Sequence, residues 1–165
     1  MRSIQTIFGS KSFLAQYVIK HPELILLQPS SHDQDYAIVD LTGQVPFTNP
    51  LQYTAESDLG TVKDRSFLQM MYFNLNSEDV PVFVAKVKTL FDQHEIFPGL
   101  QALMLLRANT KAIQYVLASA WDDGHQFFAL KNTPAFQPLL ELTRRAADSN
   151  GYHETGYKRI FPESK

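Results

Sequence analysis

Two parts of the chain repeat one order of hydrophobic patterns, and this repetition limits the folds that the chain can adopt. Each part begins with alternating apolar and polar residues, at 3–8 and 67–75. A segment with apolar residues at helical spacing follows, at 13–18 and 80–91, and two more apolar segments come after each. Alternation predicts strands and i, i+3, i+4 spacing predicts helices. The chain is therefore predicted to be α+β, with two βαββ units.

The first unit ends in a connector. Its later strands are predicted at 24–27 and 36–41, and hydrophobicity then falls over residues 43–65. Within that stretch residues 50–57 are predicted to form a short helix. We therefore predict an incomplete ferredoxin-like half, βαββα with its connector, over residues 1–60.

The second unit is predicted to be complete. Strands at 100–107 and 112–121 follow its first helix, and Asp122-Asp123 and Pro134 each begin a further helical stretch. Residues 146–155 are polar and loop-like, and a last strand is predicted at 157–161. The order βαββαβ is that of ferredoxin-like folds. We assign it to residues 61–165.

Composition excludes several classes of partner. The 165-residue chain has a net charge of −2 and no cysteine, so disulfides, thiolate metal sites and a cysteine nucleophile are excluded. The near balance of charge predicts no nucleic-acid binding. No apolar run approaches the roughly 20 residues of a membrane helix, and the N-terminus lacks a signal-peptide pattern. We predict a cytoplasmic protein that does not bind membranes.

Local catalytic and metal-binding motifs are absent from the sequence. The five histidines lie in separate predicted elements, and solvated or capping positions explain most of them. His125 is the most interesting, because it follows Trp121 by one helical turn. The adjacent carboxylates of Asp122 and Asp123 are best explained as a helix cap.

An aromatic set in the second unit predicts a ligand site. Tyr72 and Asn74 share one face of a predicted strand, and Trp121 ends a neighbouring strand. Rings with a few polar groups between a sheet and its helices would bind a flat apolar ligand. An ordinary aromatic core is the alternative. The set is Tyr72, Asn74, Trp121, Phe127, Phe128 and Phe136.

Three segments carry a family resemblance. Residues 115–136 (YVLASAWDDGHQFFALKNTPAF) and 97–107 (FPGLQALMLLR) resemble the antibiotic biosynthesis monooxygenase family of dimeric α+β barrels. Residues 7–28 (IFGSKSFLAQYVIKHPELILLQ) resemble the start of a two-part subgroup, which includes heme-degrading monooxygenases and the TRAP-type regulator. The resemblance covers nearly the whole chain and implies a ferredoxin-like, dimeric-barrel fold.

The resemblance also implies where a site would lie. The heme-degrading branch uses an Asn on the first strand, a Trp and an iron-ligating His. Their positions fall here on Met71 or Tyr72, on Leu130 and on Leu140. Leucine cannot ligate iron, so that triad is not retained. We expect no metal site, with Tyr72, Asn74 and Trp121 as catalytic residues. Cofactor or ligand contacts are expected from His125, Phe128, Leu130, Phe136 and Leu140.

Three functions remain open from the sequence. One is a monooxygenase acting on a flat aromatic or porphyrin-like ligand, either without a cofactor or with heme. Another is a non-catalytic binding or regulatory module of the TRAP type, and the third is a structural interaction protein without a pocket. Because both units lie in one chain, we predict a monomer with an internal pseudo-dimer, with a homodimer as the alternative.

Overall fold

The computed structural model describes residues 1–148 and 151–162 of the chain. The first half contains β1 (Ser3–Gly9), α1 (Lys11–Lys20), β2 (Ile25–Pro29), β3 (Tyr36–Asp40) and β4 (Leu51–Gly60). The second half contains β5 (Phe67–Asn74), α2 (Val80–Asp92), β6 (Leu100–Ala108), β7 (Gln114–Trp121), α3 (Gly124–Lys131), α4 (Gln137–Asp148) and β8 (Tyr152–Ile160). A short 3-10 helix, His94–Ile96, precedes β6.

The eight strands form one closed antiparallel barrel in the order β1-β3-β2-β8-β5-β7-β6-β4. Two pairings join the halves: β4 pairs with β6, and β2 pairs with β8. Each of these eight strands therefore pairs with a neighbour on both sides. The predicted α+β, dimeric-barrel fold is confirmed, and a single chain forms the whole barrel. The oligomeric state stays a prediction.

Residues 51–57 of the segment 50–57 lie in a strand, so the predicted short helix is wrong. The segment lies in β4, which pairs with β1 on one side and β6 on the other. Tyr53 and Ala55 alternate into the barrel and are both buried. Pairing on both edges outweighs the weak local signal of this polar segment. For the same reason β8 begins at Tyr152, within a stretch predicted to be a loop.

Gly60 lies where the chain passes from the first half to the second. Its φ is 77°, and a Cβ there would lie 2.0 Å from the carbonyl oxygen of Gln101. Only glycine adopts this conformation against a neighbouring strand without strain. Gly60 is nevertheless still paired with Ala102 of β6. Strand pairing therefore continues across the boundary at Gly60. The division into 1–60 and 61–165 stays a prediction.

Strand alternation creates separate cores on the two faces of the barrel wall. On β5, Leu68 and Met70 point into the barrel, whereas Met71 and Phe73 point outward to the helices. The outer core of the second half packs beneath α2, α3 and α4, and that of the first half packs beneath α1. Among residues 1–148 and 151–162, no helix is long and apolar enough to cross a membrane. The cytoplasmic location stays a prediction.

The start of α3 is a capping box, as the sequence indicated for this acidic pair. Asp123 Oδ1 accepts from the His125 backbone N–H at 2.8 Å. The Gln126 side chain in turn accepts from the Asp123 backbone N–H at 3.0 Å. Asp122 instead accepts a hydrogen bond from Gln101 Nε2 at 2.9 Å. Both carboxylates therefore have structural roles.

Candidate functional site

One end of the barrel opens into a cavity of about 430 Å³, which we call the mouth. This volume lies in the range of small-molecule sites, and the mouths of barrels are common places for them. Both halves of the chain line it. The lining residues are Phe8, Gln34, Asp35, Leu51, Tyr53, Tyr72, Gln114, His153, Thr155 and Tyr157.

Below the mouth, the barrel interior narrows to a cavity of about 20 Å³. That volume holds about one water-sized group. Its walls are mostly apolar and also include Thr6. Phe8, Tyr53, Tyr72 and Tyr157 line both spaces. These four rings thus form the boundary between the open mouth and the narrow inner cavity.

The three tyrosines of the mouth keep their phenolic protons. Burial is the main cause that raises the pKa of Tyr72, and the neighbouring phenols of Tyr157 and Tyr53 add to it. Burial also raises the pKa of Tyr53 and of Tyr157, and the Asp35 carboxylate raises that of Tyr157 further. All three hydroxyls are therefore hydrogen-bond donors at neutral pH.

His153 is the imidazole of the mouth. Its ring stacks on Tyr72, with ring centroids 4.3 Å apart and an interplanar angle of 9°. Burial lowers the pKa of His153, which favours the neutral ring. A neutral imidazole beside phenolic donors can accept a proton from a bound molecule. The mouth therefore offers both a proton acceptor and hydrogen-bond donors.

Asn74 belongs to the rim of the mouth. It follows Tyr72 on β5, and its Oδ1 accepts a hydrogen bond from Gln114 Nε2 at 3.0 Å. Gln114 in turn lines the mouth. The structure thus brings Tyr72 and Asn74 to the same end of the barrel, with Asn74 one residue removed from the lining.

Trp121 lies on the other side of the barrel wall. Its side chain is fully buried in the outer core, and its indole N–H donates to Ser119 Oγ at 2.8 Å. Phe127, Phe136 and Leu139 are likewise 0% exposed around it. These buried side chains belong to the layer between sheet and helices in which the sequence predicted a ligand.

Comparisons with known proteins agree with this fold. The sequence matches no protein-family model. A heme-degrading monooxygenase of Listeria monocytogenes is 24% identical over 166 residues, covering 99% of this chain and 96% of that protein. The signal transduction protein TRAP of Staphylococcus aureus is 22% identical over 165 residues and covers 98% of each chain.

A solved structure from Listeria monocytogenes superimposes with a TM-score of 0.83 at 23% identity, covering 99% of this chain and 96% of that one. It is described as an uncharacterized ferredoxin fold protein related to antibiotic biosynthesis monooxygenases. The chain is similar to these proteins over nearly its whole length. The predicted family resemblance is confirmed. The similar proteins include both an enzyme and a signal transduction protein.

The other predicted ligand contacts lie away from the mouth. Leu130 and Phe136 are buried in the outer core and Leu140 packs against it. The His125 side chain is 95% exposed, with its Nε2 4.0 Å from Asp123 Oδ1, and Phe128 is 54% exposed. The assignment of these five residues, and of Trp121, to a site stays a prediction.

Heme is poorly matched to the residues of the mouth. The lining offers one imidazole, His153, and one carboxylate, Asp35, and its described residues include no Lys or Arg. The carboxylate side chains of heme would have no cation to meet them there. Within residues 1–148 and 151–162, no cluster of three metal-ligating side chains occurs either.

Several residues of the mouth were not predicted from the sequence. Tyr53 lies in β4 and His153 in β8, both in segments predicted not to be strands. The alternation of Tyr53 with Ala55 was the available signal for β4. Only barrel closure brings these segments beside Tyr72, which the sequence did single out.

Proposed function

We propose that the chain is a monooxygenase-type protein that binds a flat, uncharged aromatic molecule at the mouth and oxidises it there. The observation that carries this proposal is the aromatic cavity of about 430 Å³ with polar groups converging on it. Kinship with a heme-degrading monooxygenase supports the reaction class. The absence of a cation from the described lining favours a neutral ligand over a porphyrin.

The residues of the mouth suit oxidation without a resident cofactor. In the proposed reaction a CH₂ group of an anthrone-type substrate and O₂ become C=O and H₂O. The substrate supplies the electrons after it has lost a proton. His153 accepts that proton as a neutral imidazole, and the Tyr72 hydroxyl donates to the substrate oxygen that becomes negative. Asn74 positions Gln114 at the rim.

Oxygen uptake with dithranol, an uncharged hydroxylated anthrone, tests this proposal. The wild-type protein is expected to consume O₂ faster than dithranol oxidises alone, with one anthraquinone formed per O₂. His153→Gln is expected to slow turnover about 100-fold because it removes the base. Tyr72→Phe is expected to slow it about tenfold or more because it removes one donor.

His125→Gln is the matched control, since it changes an exposed imidazole outside the mouth. Unchanged turnover is expected. Slow turnover in His125→Gln with normal turnover in His153→Gln would move the site to α3 and contradict the proposal.

A non-catalytic binding module is the second candidate. The fully buried rings around Trp121 favour it, because the family resemblance implies that activity depends on that side of the sheet. Such a module would bind dithranol, quenching tyrosine fluorescence in a Tyr72-dependent way, without consuming oxygen above the background rate.

A further inference from the structure

The hydroxyl of Thr6 is an unexplained polar group inside the barrel. Thr6 is 9% exposed and lines the narrow inner cavity. Its Oγ1 makes no hydrogen bond within the described part of the chain. A buried polar atom without a partner destabilises a folded protein, so such an atom in a cavity points to a ligand group or water that completes it.

The surroundings of Thr6 narrow the choice of that group. The Tyr53 hydroxyl lies near the Thr6 hydroxyl. Burial raises the pKa of Tyr53, and a hydrogen-bond-like interaction with the Thr6 hydroxyl opposes that rise. The two groups do not reach the geometry of a well-formed hydrogen bond. Tyr72 and Tyr157 line the same cavity. The volume of about 20 Å³ admits one atom of oxygen size with its hydrogen. A whole ring does not fit.

We propose that Thr6 is a specificity residue that recognises a single oxygen substituent, a phenolic hydroxyl or a carbonyl, on the inner end of the bound aromatic molecule. The ring remains in the mouth between Phe8 and the tyrosines, and its oxygen reaches into the inner cavity. Thr6 Oγ1 can accept from a phenol or donate to a carbonyl, so it serves either form. This inference rests on the proposed function, since it requires an aromatic ligand in the mouth.

Paired ligands with and without the oxygen test the inference. We would measure binding of 2-naphthol and naphthalene by their fluorescence, because both are flat, uncharged and nearly equal in size. The wild-type protein is expected to bind 2-naphthol about tenfold more tightly, as one buried hydrogen bond contributes. Thr6→Val is expected to lose this tenfold preference through weaker 2-naphthol binding, with naphthalene affinity unchanged.

Thr6→Ser is the matched control, because it keeps the hydroxyl and removes only the methyl group. It is expected to retain the preference for 2-naphthol. Equal binding of both compounds by the wild type, or a preference that persists in Thr6→Val, would overturn this inference alone. Failure of the wild type to bind either compound would overturn the proposed function together with it.

Discussion

The two faces of the β5–β7 wall both carry aromatic rings, yet they differ in what those rings surround. On the outer face Trp121, Phe127 and Phe136 are fully buried, and the one indole N–H is hydrogen-bonded to Ser119. On the inner face Tyr72 meets a cavity open to solvent, together with Tyr53. The outer rings are therefore part of the core, because they are buried and the indole N–H has its acceptor. The inner rings line the mouth together with polar groups, as the proposed binding site requires.

This difference separates stability from binding in the same short stretch of sequence. Met70 and Met71 are neighbours in the chain, yet Met70 lines the inner cavity and Met71 packs beneath the helices. Substitutions on the outer face should therefore lower the free energy of unfolding. Substitutions on the inner face should instead change the affinity for the ligand. The predictions below test that separation.

The largest expected effect is on the outer face. Phe127→Ala should lower the free energy of unfolding by about 3–5 kcal/mol, because it opens a cavity in a filled core. Phe128→Ala is the control one residue along, half exposed, and should change the value by about 0.5 kcal/mol or less. Urea unfolding measures both. Similar effects in the two variants would mean that the outer face is not the filled core described.

A smaller effect is expected from the indole hydrogen bond. Ser119→Ala leaves the Trp121 N–H buried without an acceptor and should cost about 1–3 kcal/mol of unfolding free energy. In a Trp121→Phe background the same change should cost clearly less, because no donor remains. A double-mutant cycle by urea unfolding measures this coupling. Additive costs would show that the hydrogen bond does not secure Trp121.

The smallest effect concerns His153 and pH. Burial lowers its pKa in the folded chain, whereas an unfolded histidine titrates near 6.5. As pH falls below about 6.5 the unfolded chain takes up this proton more readily, so the free energy of unfolding falls. His153→Gln should therefore lose less stability than the wild type between pH 7 and 5. An equal or larger loss in urea unfolding would contradict the lowered pKa of this imidazole.

The sequence predicts the fold better than it predicts the mouth. Alternation and helical spacing are local signals, and they identified the strands and helices around Tyr72 and Trp121. They also placed Tyr72 and Asn74 on one strand face, which the structure bears out. Family resemblance added the barrel.

The rest of the mouth depends on pairing between distant segments. Tyr53 and His153 lie in strands whose sequences are polar, and those strands exist because β1, β5 and β6 pair with them. A strand pattern also does not tell which face of a barrel wall is filled. The rings around Trp121 therefore predicted a pocket as readily as those around Tyr72.

Methionine methyl NMR tests most directly that ligands enter the inner face of the barrel wall. The chain has four methionines: Met70 and Met104 line the inner cavity, Met71 lies in the outer core, and Met1 is exposed. Titration of carbon-13-methyl protein with 2-naphthol should shift the Met70 and Met104 signals and leave Met71 and Met1 in place. Shifts of Met71 without Met70 and Met104 would place the ligand beneath the helices and contradict the account.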